Sequence, residues 1–219
     1  MNESTFFASE EEAKNLLKKF NLLKSSDFLK KPISERFVEI CRNNNFIDAY
    51  FNALRNYDYH LLLFDDSFFQ FEFLEKGTKL QLRYSYYQNP FVLPPSSYLG
   101  SMQGDEYLYD YDQVFADAHK KDFFLYVRYD YSEKEYTEGV HSVSHFHIGS
   151  GDSIRITSYI SITPLLFVIF VIKNIYPKQW HSLMKDGDFL DRYKKLKVQC
   201  EKIEKRFFKE LDKYELYLA

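Results

Sequence analysis

The sequence lacks most of the motifs by which an enzyme class can be recognised directly. It has no glycine-rich phosphate loop, no Gly-x-Ser-x-Gly elbow and no His-Glu-x-x-His helix. Its 219 residues include only two cysteines, Cys41 and Cys200, which form no Cys-x-x-Cys pair. A zinc ribbon and a thioredoxin-like motif are therefore excluded, and each cysteine occupies an apolar position of a predicted helix.

Long apolar segments and a strong net charge are also missing. The strongest apolar run, Leu165 to Ile172, is too short to span a bilayer. The first residues lack the basic-then-apolar pattern of a signal peptide, so we expect a cytoplasmic protein with reduced thiols and no membrane association. The formal net charge of −3 argues against a general attraction to nucleic acid but leaves a local basic patch open.

Aromatic residues are abundant, whereas glycine, proline and tryptophan are scarce. The chain has 22 Phe and 19 Tyr residues and is 45% hydrophobic, so it is able to bury a sizeable core. The aromatic content fits either codon bias in an AT-rich genome or a surface on which bases stack. The length predicts a single domain over 1–219, with a helical part at 1–57, a sheet at 58–160 and a second helical part at 163–219.

Helical spacing marks the N-terminal part of the chain and one segment near residue 170. Ser9 and Glu12 fit a capping box, which predicts a helix that begins at Ser9. A second helix is predicted over 32–55. A Thr-Pro pair opens the segment 163–175, which is apolar on nearly every side, so this helix should be central and buried.

Alternation of apolar and polar residues predicts an antiparallel sheet between these helices. The segment 99–118 contains five acidic residues and no Lys or Arg. It is therefore predicted to be a solvated loop or, alternatively, a mobile flap over a site. The predicted strands cover 59–64, 69–73, 80–86, 122–131, 144–148 and 153–156.

The C-terminal part carries an apolar stripe at close to heptad spacing. It predicts one long helix from Gly187 to Leu218, which either packs along its own domain or forms a homodimer or partner interface. The stripe consists of Phe189, Tyr193, Leu196, Cys200, Ile203, Phe207, Leu211, Tyr214 and Leu218. The patterns together predict an α+β fold, in which a curved antiparallel sheet packs on a buried helix with N-terminal helices and the long C-terminal helix around it.

A polar cluster lies on the later strands of the predicted sheet. Arg128 and Asp130 are two positions apart on one strand and therefore share a face. His145 and His147 share a face of the next strand, and His141 comes from the loop before it. Titratable groups of complementary type that converge on one sheet are what a catalytic or metal site requires. Arg155 comes from the following strand. The candidate site comprises Arg128, Asp130, His141, His145, His147 and Arg155.

Two mechanisms fit these residue types if both strand faces lie on the same side of one sheet. In the first, the histidines act as general acid and base while a ribose 2′-hydroxyl attacks the adjacent phosphate. Arg128 or Arg155 stabilises the developing charge, and Asp130 orients a histidine. In the second, the three histidines, with or without Asp130, bind a divalent metal ion that activates water. Alternatively, the cluster is an ion pair beside hydrogen-bonded surface histidines without function.

The cluster also resembles the pattern of a known family. Its members combine an Arg-Tyr-Asp strand such as 128–130 with a histidine such as His141, a His-Phe-His-Ile-Gly segment such as 145–149 and an Arg-Ile pair such as 155–156. They are bacterial proteins catalogued only as a domain of unknown function. More distantly, the cluster is similar to the TumE-type toxins, which pair an Arg-Tyr-Asp strand with downstream histidines. The resemblance implies a prokaryotic toxin or antiviral defence setting, with RNA as the target and an antitoxin or defence protein as the partner.

Two functions from different classes follow from these observations. The first is a ribonuclease-like toxin or phage-defence effector, an RNA-cleaving hydrolase or phosphotransferase that acts through the candidate site. The second is a non-catalytic interaction protein, in which the long C-terminal helix binds a partner and the histidine cluster is structural.

Overall fold

The helices lie mainly at the two ends of the chain and the strands of the sheet lie between them, as the sequence patterns predict. In the computed structural model, the helices are α1 (Glu3–Lys19), α2 (Glu35–Arg42), α3 (Phe46–Arg55), α4 (Pro164–Ile175), α5 (Pro177–Leu183) and α6 (Gly187–Gln199). The strands are β1 (Leu23–Ser26), β2 (Leu61–Leu63), β3 (Phe68–Lys76), β4 (Lys79–Tyr87), β5 (Phe91–Val92), β6 (His119–Lys120), β7 (Tyr126–Ser132), β8 (Ser144–Ile148), β9 (Ile154–Ser158), β10 (Ile160–Ser161), β11 (Glu201–Lys202) and β12 (Tyr217–Leu218). The structure describes residues 1–26, 32–42, 46–77, 79–92, 117–149, 154–215 and 217–218.

An open eight-stranded sheet runs through the centre of the protein. Its strand order is β1-β2-β3-β4-β7-β8-β9-β12, in which every neighbouring pair is antiparallel except β9 and β12. The two ladders β5–β6 and β10–β11 lie outside this sheet. The predicted α+β fold with an antiparallel sheet is therefore confirmed.

One face of the sheet is apolar and packs against α1 and α4. Tyr84 and Tyr129 lie side by side on neighbouring strands, with ring centroids 5.2 Å apart, and both are fully buried. Phe167 of α4 packs against Tyr84, with ring centroids 5.8 Å apart. The helix begins after Thr163, whose side chain accepts a hydrogen bond from the backbone N–H of Leu166. This start and the burial of α4 confirm the prediction of a central buried helix.

The opposite face of the sheet is apolar at one end and polar further along the strands. At the apolar end, Phe68 stacks on Tyr87 with ring centroids 4.8 Å apart, and Phe37 of α2 packs edge-on against Tyr87. Tyr50 of α3 completes this cluster and is fully buried. Among the described residues, α2 and α3 pack at this end, and the polar side chains that follow on β4, β7 and β8 form a separate patch.

The N-terminal helices begin at other residues than predicted. Asn2 is the N-cap of α1 and accepts a hydrogen bond from the backbone N–H of Thr5, so the prediction of a helix start at Ser9 is wrong. The single helix predicted over 32–55 consists of α2 and α3, and its middle at 43–45 is outside the described residues.

The C-terminal segment is not the single long helix that the heptad spacing predicts. α6 ends at Gln199, and Cys200 already has an extended backbone. The chain then pairs with β10 through β11, and the backbone N–H of Ile203 donates to the Tyr159 carbonyl at 3.0 Å. The predicted helix as far as Leu218 is therefore wrong, because pairing with distant strands outweighs the local spacing of apolar residues.

The apolar stripe is divided between buried and exposed residues and does not form one continuous surface. Its later members Leu211 and Tyr214 are exposed on a 3-10 turn. The long helix along which a homodimer or partner interface was predicted is therefore not present in the described part of the chain. The stripe residues that are buried are Phe189, Leu196, Cys200 and Ile203.

Most of the acidic stretch at 99–118 falls within 93–116, so the predicted loop or flap lies outside the described residues. Cys41 and Cys200 are both free thiols. Among the described residues, no helix has the length and apolar character needed to cross a membrane.

Candidate functional site

The register of the sheet places the predicted site residues of β7 and β8 on one face. Arg128 is the cross-strand partner of His147, and Asp130 is the partner of His145. Directly opposite residues in an antiparallel pair project to the same side of a sheet. The condition on which both predicted mechanisms depend, that the two strand faces lie on the same side, is therefore met.

The two strand histidines contact each other through their Nε2 atoms. His145 Nε2 lies 2.9 Å from His147 Nε2, and both side chains are almost completely buried. His145 Nδ1 lies 2.9 Å from the Ser142 carbonyl oxygen, which only accepts hydrogen bonds. This contact assigns the hydrogen of neutral His145 to Nδ1 and leaves a lone pair on Nε2, which points at His147.

Asp130 binds three positively charged or polar groups at once. Its Oδ2 lies 2.8 Å from Arg128 Nε and 3.3 Å from His147 Nε2, and its Oδ1 lies 3.0 Å from Arg83 Nε. Burial opposes ionisation of this carboxyl, but the His147 hydrogen bond and the two arginines outweigh it and hold the pKa of Asp130 well below its usual range. Asp130 is therefore a carboxylate at neutral pH.

His145 remains uncharged at neutral pH. Burial lowers the pKa of His145 to about 4, and the nearby Asp130 carboxylate opposes that effect only in part. An imidazole that stays neutral keeps its Nε2 lone pair for a proton or a metal ion. The row Asp130–His147–His145 is thus suited to accept a proton or to hold a cation, and His145 is unsuited to act as a resting acid.

The two remaining predicted residues lie at the edges of this row. The ring of His141 meets that of His145 edge-on, with centroids 4.8 Å apart, and its Nδ1 is buried with no hydrogen-bond partner among the described residues. Arg155 on β9 is the cross-strand partner of His147. It is exposed and makes no ion pair within the described part of the chain. The structure therefore brings all six predicted residues to one region, but only Asp130, His145 and His147 place ligand atoms together.

Sequence reasoning missed two contributors to the site. Arg83 on β4 is the cross-strand partner of Asp130 and supplies one of its two arginine contacts. Ser142 contributes a backbone carbonyl, which carries no sequence signal. The alternation of residues along β4 does place Arg83 on a polar face, but only the pairing of β4 with β7 brings that face to the site.

A second polar network fixes the outer edge of the site. Thr157, the cross-strand partner of His145, donates to Glu215 Oε2 at 2.8 Å. Ser142 Oγ lies 2.6 Å from the Thr157 hydroxyl and 3.0 Å from the same carboxylate oxygen. The C-terminal segment thereby holds both the strand next to His145 and the turn whose carbonyl sets its tautomer.

The fold and the site together define an α+β protein whose open antiparallel sheet carries a buried Asp-His-His row beside two arginines. The chain belongs to the DUF2290 family of uncharacterized conserved proteins, whose family model matches residues 18–217. The resemblance to a family of unknown function is therefore confirmed. No curated protein and no solved structure gives a significant match to the chain.

Proposed function

We propose that the protein cleaves phosphodiester bonds in RNA, as a ribonuclease-like toxin or phage-defence effector. The observation that carries the proposal is the row Asp130–His147–His145, in which an ionised carboxylate contacts one histidine and that histidine contacts a second, neutral one. Rows of this kind position a nitrogen lone pair for proton transfer or metal binding at a reacting oxygen.

The reaction requires that a proton leave the attacking oxygen. In cleavage by the ribose 2′-hydroxyl, the 2′-oxygen forms a bond to phosphorus and the bond from phosphorus to the 5′-oxygen breaks. The hydroxyl proton passes to a base, and the 5′-oxygen takes a proton from that protonated base or from water, which leaves a 2′,3′-cyclic phosphate and a 5′-hydroxyl. His145 Nε2 supports this step either as the base itself or as a ligand of an ion that acidifies the attacking oxygen.

The arginines divide into two kinds with different roles. Arg83 and Arg128 are ion-paired with Asp130, so they hold the carboxylate in place. Arg155 is exposed and has no ion pair within the described residues, so its guanidinium is available to a phosphate group. A planar guanidinium matches phosphate oxygens in a bidentate geometry, which favours Arg155 as the group that binds the scissile phosphate.

The biological setting follows from a sequence similarity. The similarity of the Arg128–Asp130 strand and downstream histidines to TumE-type toxins favours a toxin–antitoxin or antiviral module. A cognate antitoxin or defence protein would then be the partner that restrains the activity. Expression of the full chain in a bacterial host should therefore slow growth, and this effect should require His145.

Cleavage of RNA by the purified full-length protein tests the proposal directly. An RNA oligonucleotide and its 2′-deoxy counterpart should be compared, because attack by the 2′-hydroxyl requires the RNA. We expect His145→Ala and His147→Ala each to lower the cleavage rate by about 10²-fold or more, as loss of a general acid or base does. The cleaved RNA should carry a 2′,3′-cyclic phosphate if the 2′-hydroxyl is the nucleophile.

The matched control is His181→Ala, which removes an exposed histidine of α5 far from the site along the chain. This variant should cleave RNA at the parent rate. Circular dichroism and thermal unfolding should be recorded for each variant. If His145→Ala and His147→Ala fold normally and still cleave RNA at the parent rate, the histidine row is not the catalytic site, and if the parent cleaves no RNA, the proposed function is wrong.

A further inference from the structure

Three potential ligand atoms from three side chains converge in the buried part of the site. His145 and His147 each present one imidazole nitrogen and Asp130 presents one carboxylate oxygen, and all three atoms lie within 4.8 Å of one another. We propose that Asp130, His145 and His147 bind one divalent transition-metal ion of the zinc type. The ion would be the cofactor of RNA cleavage, a role that rests on the proposed function.

Two of the three distances between the ligand atoms are close to those around a shared ion. Zinc lies about 2.0–2.2 Å from histidine nitrogens and carboxylate oxygens, so neighbouring ligands in a tetrahedral shell are roughly 3.3–3.6 Å apart. The two Nε2 atoms are 2.9 Å apart, and His147 Nε2 is 3.3 Å from Asp130 Oδ2. All three atoms lie within 4.8 Å of one another, so the side chains would close around the ion, which would take the place of the hydrogen between His147 Nε2 and Asp130 Oδ2.

The hydrogen bonds of two of the three residues, His145 and Asp130, resemble the outer shell of a metal site. A metal-binding histidine usually donates its other ring N–H to a carbonyl or carboxylate, which directs the lone pair at the metal. His145 does this through its Nδ1 contact with the Ser142 carbonyl. Metal-binding carboxylates are in turn hydrogen-bonded, and Asp130 receives one N–H from each of Arg83 and Arg128.

The carboxylate retains capacity for an ion despite these arginines. Each of its oxygens has two lone pairs, and Oδ2 uses one of them for Arg128. The other faces His147. The side chains of Arg83 and Arg128 are 40% and 25% exposed, so solvent screens part of their charge from the ion.

The ligand types select among metal ions. Two imidazoles and one carboxylate suit zinc and its first-row neighbours, whereas magnesium and calcium prefer oxygen ligands. Three protein ligands leave at least one coordination position for water or a phosphate oxygen, as in catalytic zinc sites. His141 is not one of the three ligands, and its place beside His145 leaves it outside the set of converging atoms.

Zinc binding to the full-length protein tests this inference. The protein should be stripped with EDTA, freed of chelator and titrated with Zn²⁺ by calorimetry, in parallel with His145→Ala, Asp130→Asn and the control His181→Ala. We expect the parent and the control to bind one Zn²⁺, and the two site variants to bind it at least about tenfold more weakly. Zn²⁺ should also raise the melting temperature of the parent and control but not of the variants.

A second measurement on the parent protein does not depend on how the variants fold. Co²⁺ bound by two imidazoles and a carboxylate in a four- or five-coordinate site should give stronger visible absorption bands than hydrated Co²⁺. Absence of these bands, absence of Zn²⁺ binding, or equal Zn²⁺ affinity in the parent and the site variants would each overturn the inference.

RNA cleavage should be measured on the same preparations to separate the two proposals. Binding of one Zn²⁺ at the site without any RNA cleavage would contradict the proposed function and support the metal site. RNA cleavage by protein that binds no Zn²⁺ would overturn the metal site and leave the proposed function in place.

Discussion

Ser9 of α1 accepts a hydrogen bond from the backbone N–H of Leu165 in α4, at 3.0 Å. Both residues are buried, and they are separated by 156 positions in the chain. Backbone N–H groups in the first turn of a helix have no partner inside that helix. The hydroxyl of one helix therefore satisfies the start of another and ties the N-terminal helix to the central one.

Ser9→Ala should destabilise the protein, because it leaves the buried N–H of Leu165 without a partner. The expected loss in the free energy of unfolding is about 1–3 kcal/mol, measured by urea unfolding followed by circular dichroism. Ser4→Ala, on the exposed side of the same helix, should change stability by much less. Equal effects of the two substitutions would contradict a specific role of the Ser9 hydroxyl.

Glu10, the next residue of α1, is a buried carboxyl without a hydrogen-bond partner for either side-chain oxygen among the described residues. Burial, with a smaller contribution from Glu11, raises the pKa of Glu10 to about 8. The folded protein therefore keeps this carboxyl protonated at neutral pH, whereas the unfolded chain ionises near pH 4.5. The fold favours the protonated form, so its stability depends on pH.

The stability linked to Glu10 is fully present below about pH 4.5 and is lost as the pH rises through about 8. We expect Glu10→Met to remove this dependence, so that the variant is more stable than the parent at pH 9 and the advantage shrinks towards pH 5. Thermal unfolding of both proteins across this range measures the difference. The control Glu3→Gln changes an exposed glutamate of the same helix and should leave the pH profile unchanged. Parallel profiles for Glu10→Met and the parent would show that Glu10 ionises normally.

The sequence predicts much of the sheet because alternation is a local property. Strands such as β3 and β8 and the buried helix α4 follow from patterns within a few residues, and so do the shared faces of Arg128 with Asp130 and of His145 with His147. The pairing of β4 with β7 is not local, because a connection of nearly 40 residues separates the two strands. The contact between Arg83 and Asp130 could therefore not be predicted.

Two wrong predictions have the same physical origin. Ser9 matches a capping box, and the residues after Gln199 continue a heptad, yet in both places a distant partner determines the structure. Ser9 binds Leu165, and the segment after Gln199 pairs with β10. Phe207 packs against Tyr136, with ring centroids 5.5 Å apart. Local patterns record which residues are apolar or polar, but several tertiary arrangements satisfy the same pattern.

Asp212 anchors the C-terminal segment to the loop between β7 and β8. Its carboxylate accepts hydrogen bonds from the Tyr136 hydroxyl at 2.6 Å and from the backbone N–H groups of Gly139 and Lys209, each at 2.8 Å. Asp212→Ala should lower the free energy of unfolding by roughly 1.5–3 kcal/mol, because hydrogen bonds to a charged group are lost. Limited trypsin digestion should then cleave near Lys209 faster than in the parent.

The control for this anchor is Asp191→Ala on α6, where the carboxylate is exposed and pairs only with Lys194 in the described part of the chain. It should cost little stability, as surface ion pairs do. If Asp212→Ala and Asp191→Ala show the same trypsin pattern and stability, the carboxylate of Asp212 does not hold the segment.

Arg155 and Arg83 should respond differently to the same substitution, because, of the two, Arg83 alone has a carboxylate partner among the described residues. Arg155→Gln should leave stability unchanged and lower the rate of RNA cleavage on the order of 10²-fold, as loss of a group that stabilises transition-state charge does. Arg83→Gln, in contrast, should lower the stability of the protein, because the buried Asp130 carboxylate loses one of its two arginine partners. The measurements are thermal unfolding and single-turnover cleavage of an RNA oligonucleotide.

Arg36→Gln, which changes an exposed arginine of α2, serves as the control for the loss of one positive charge. If Arg155→Gln cleaves RNA as fast as this control, Arg155 does not bind the scissile phosphate, and the anion must be bound by another group of the site.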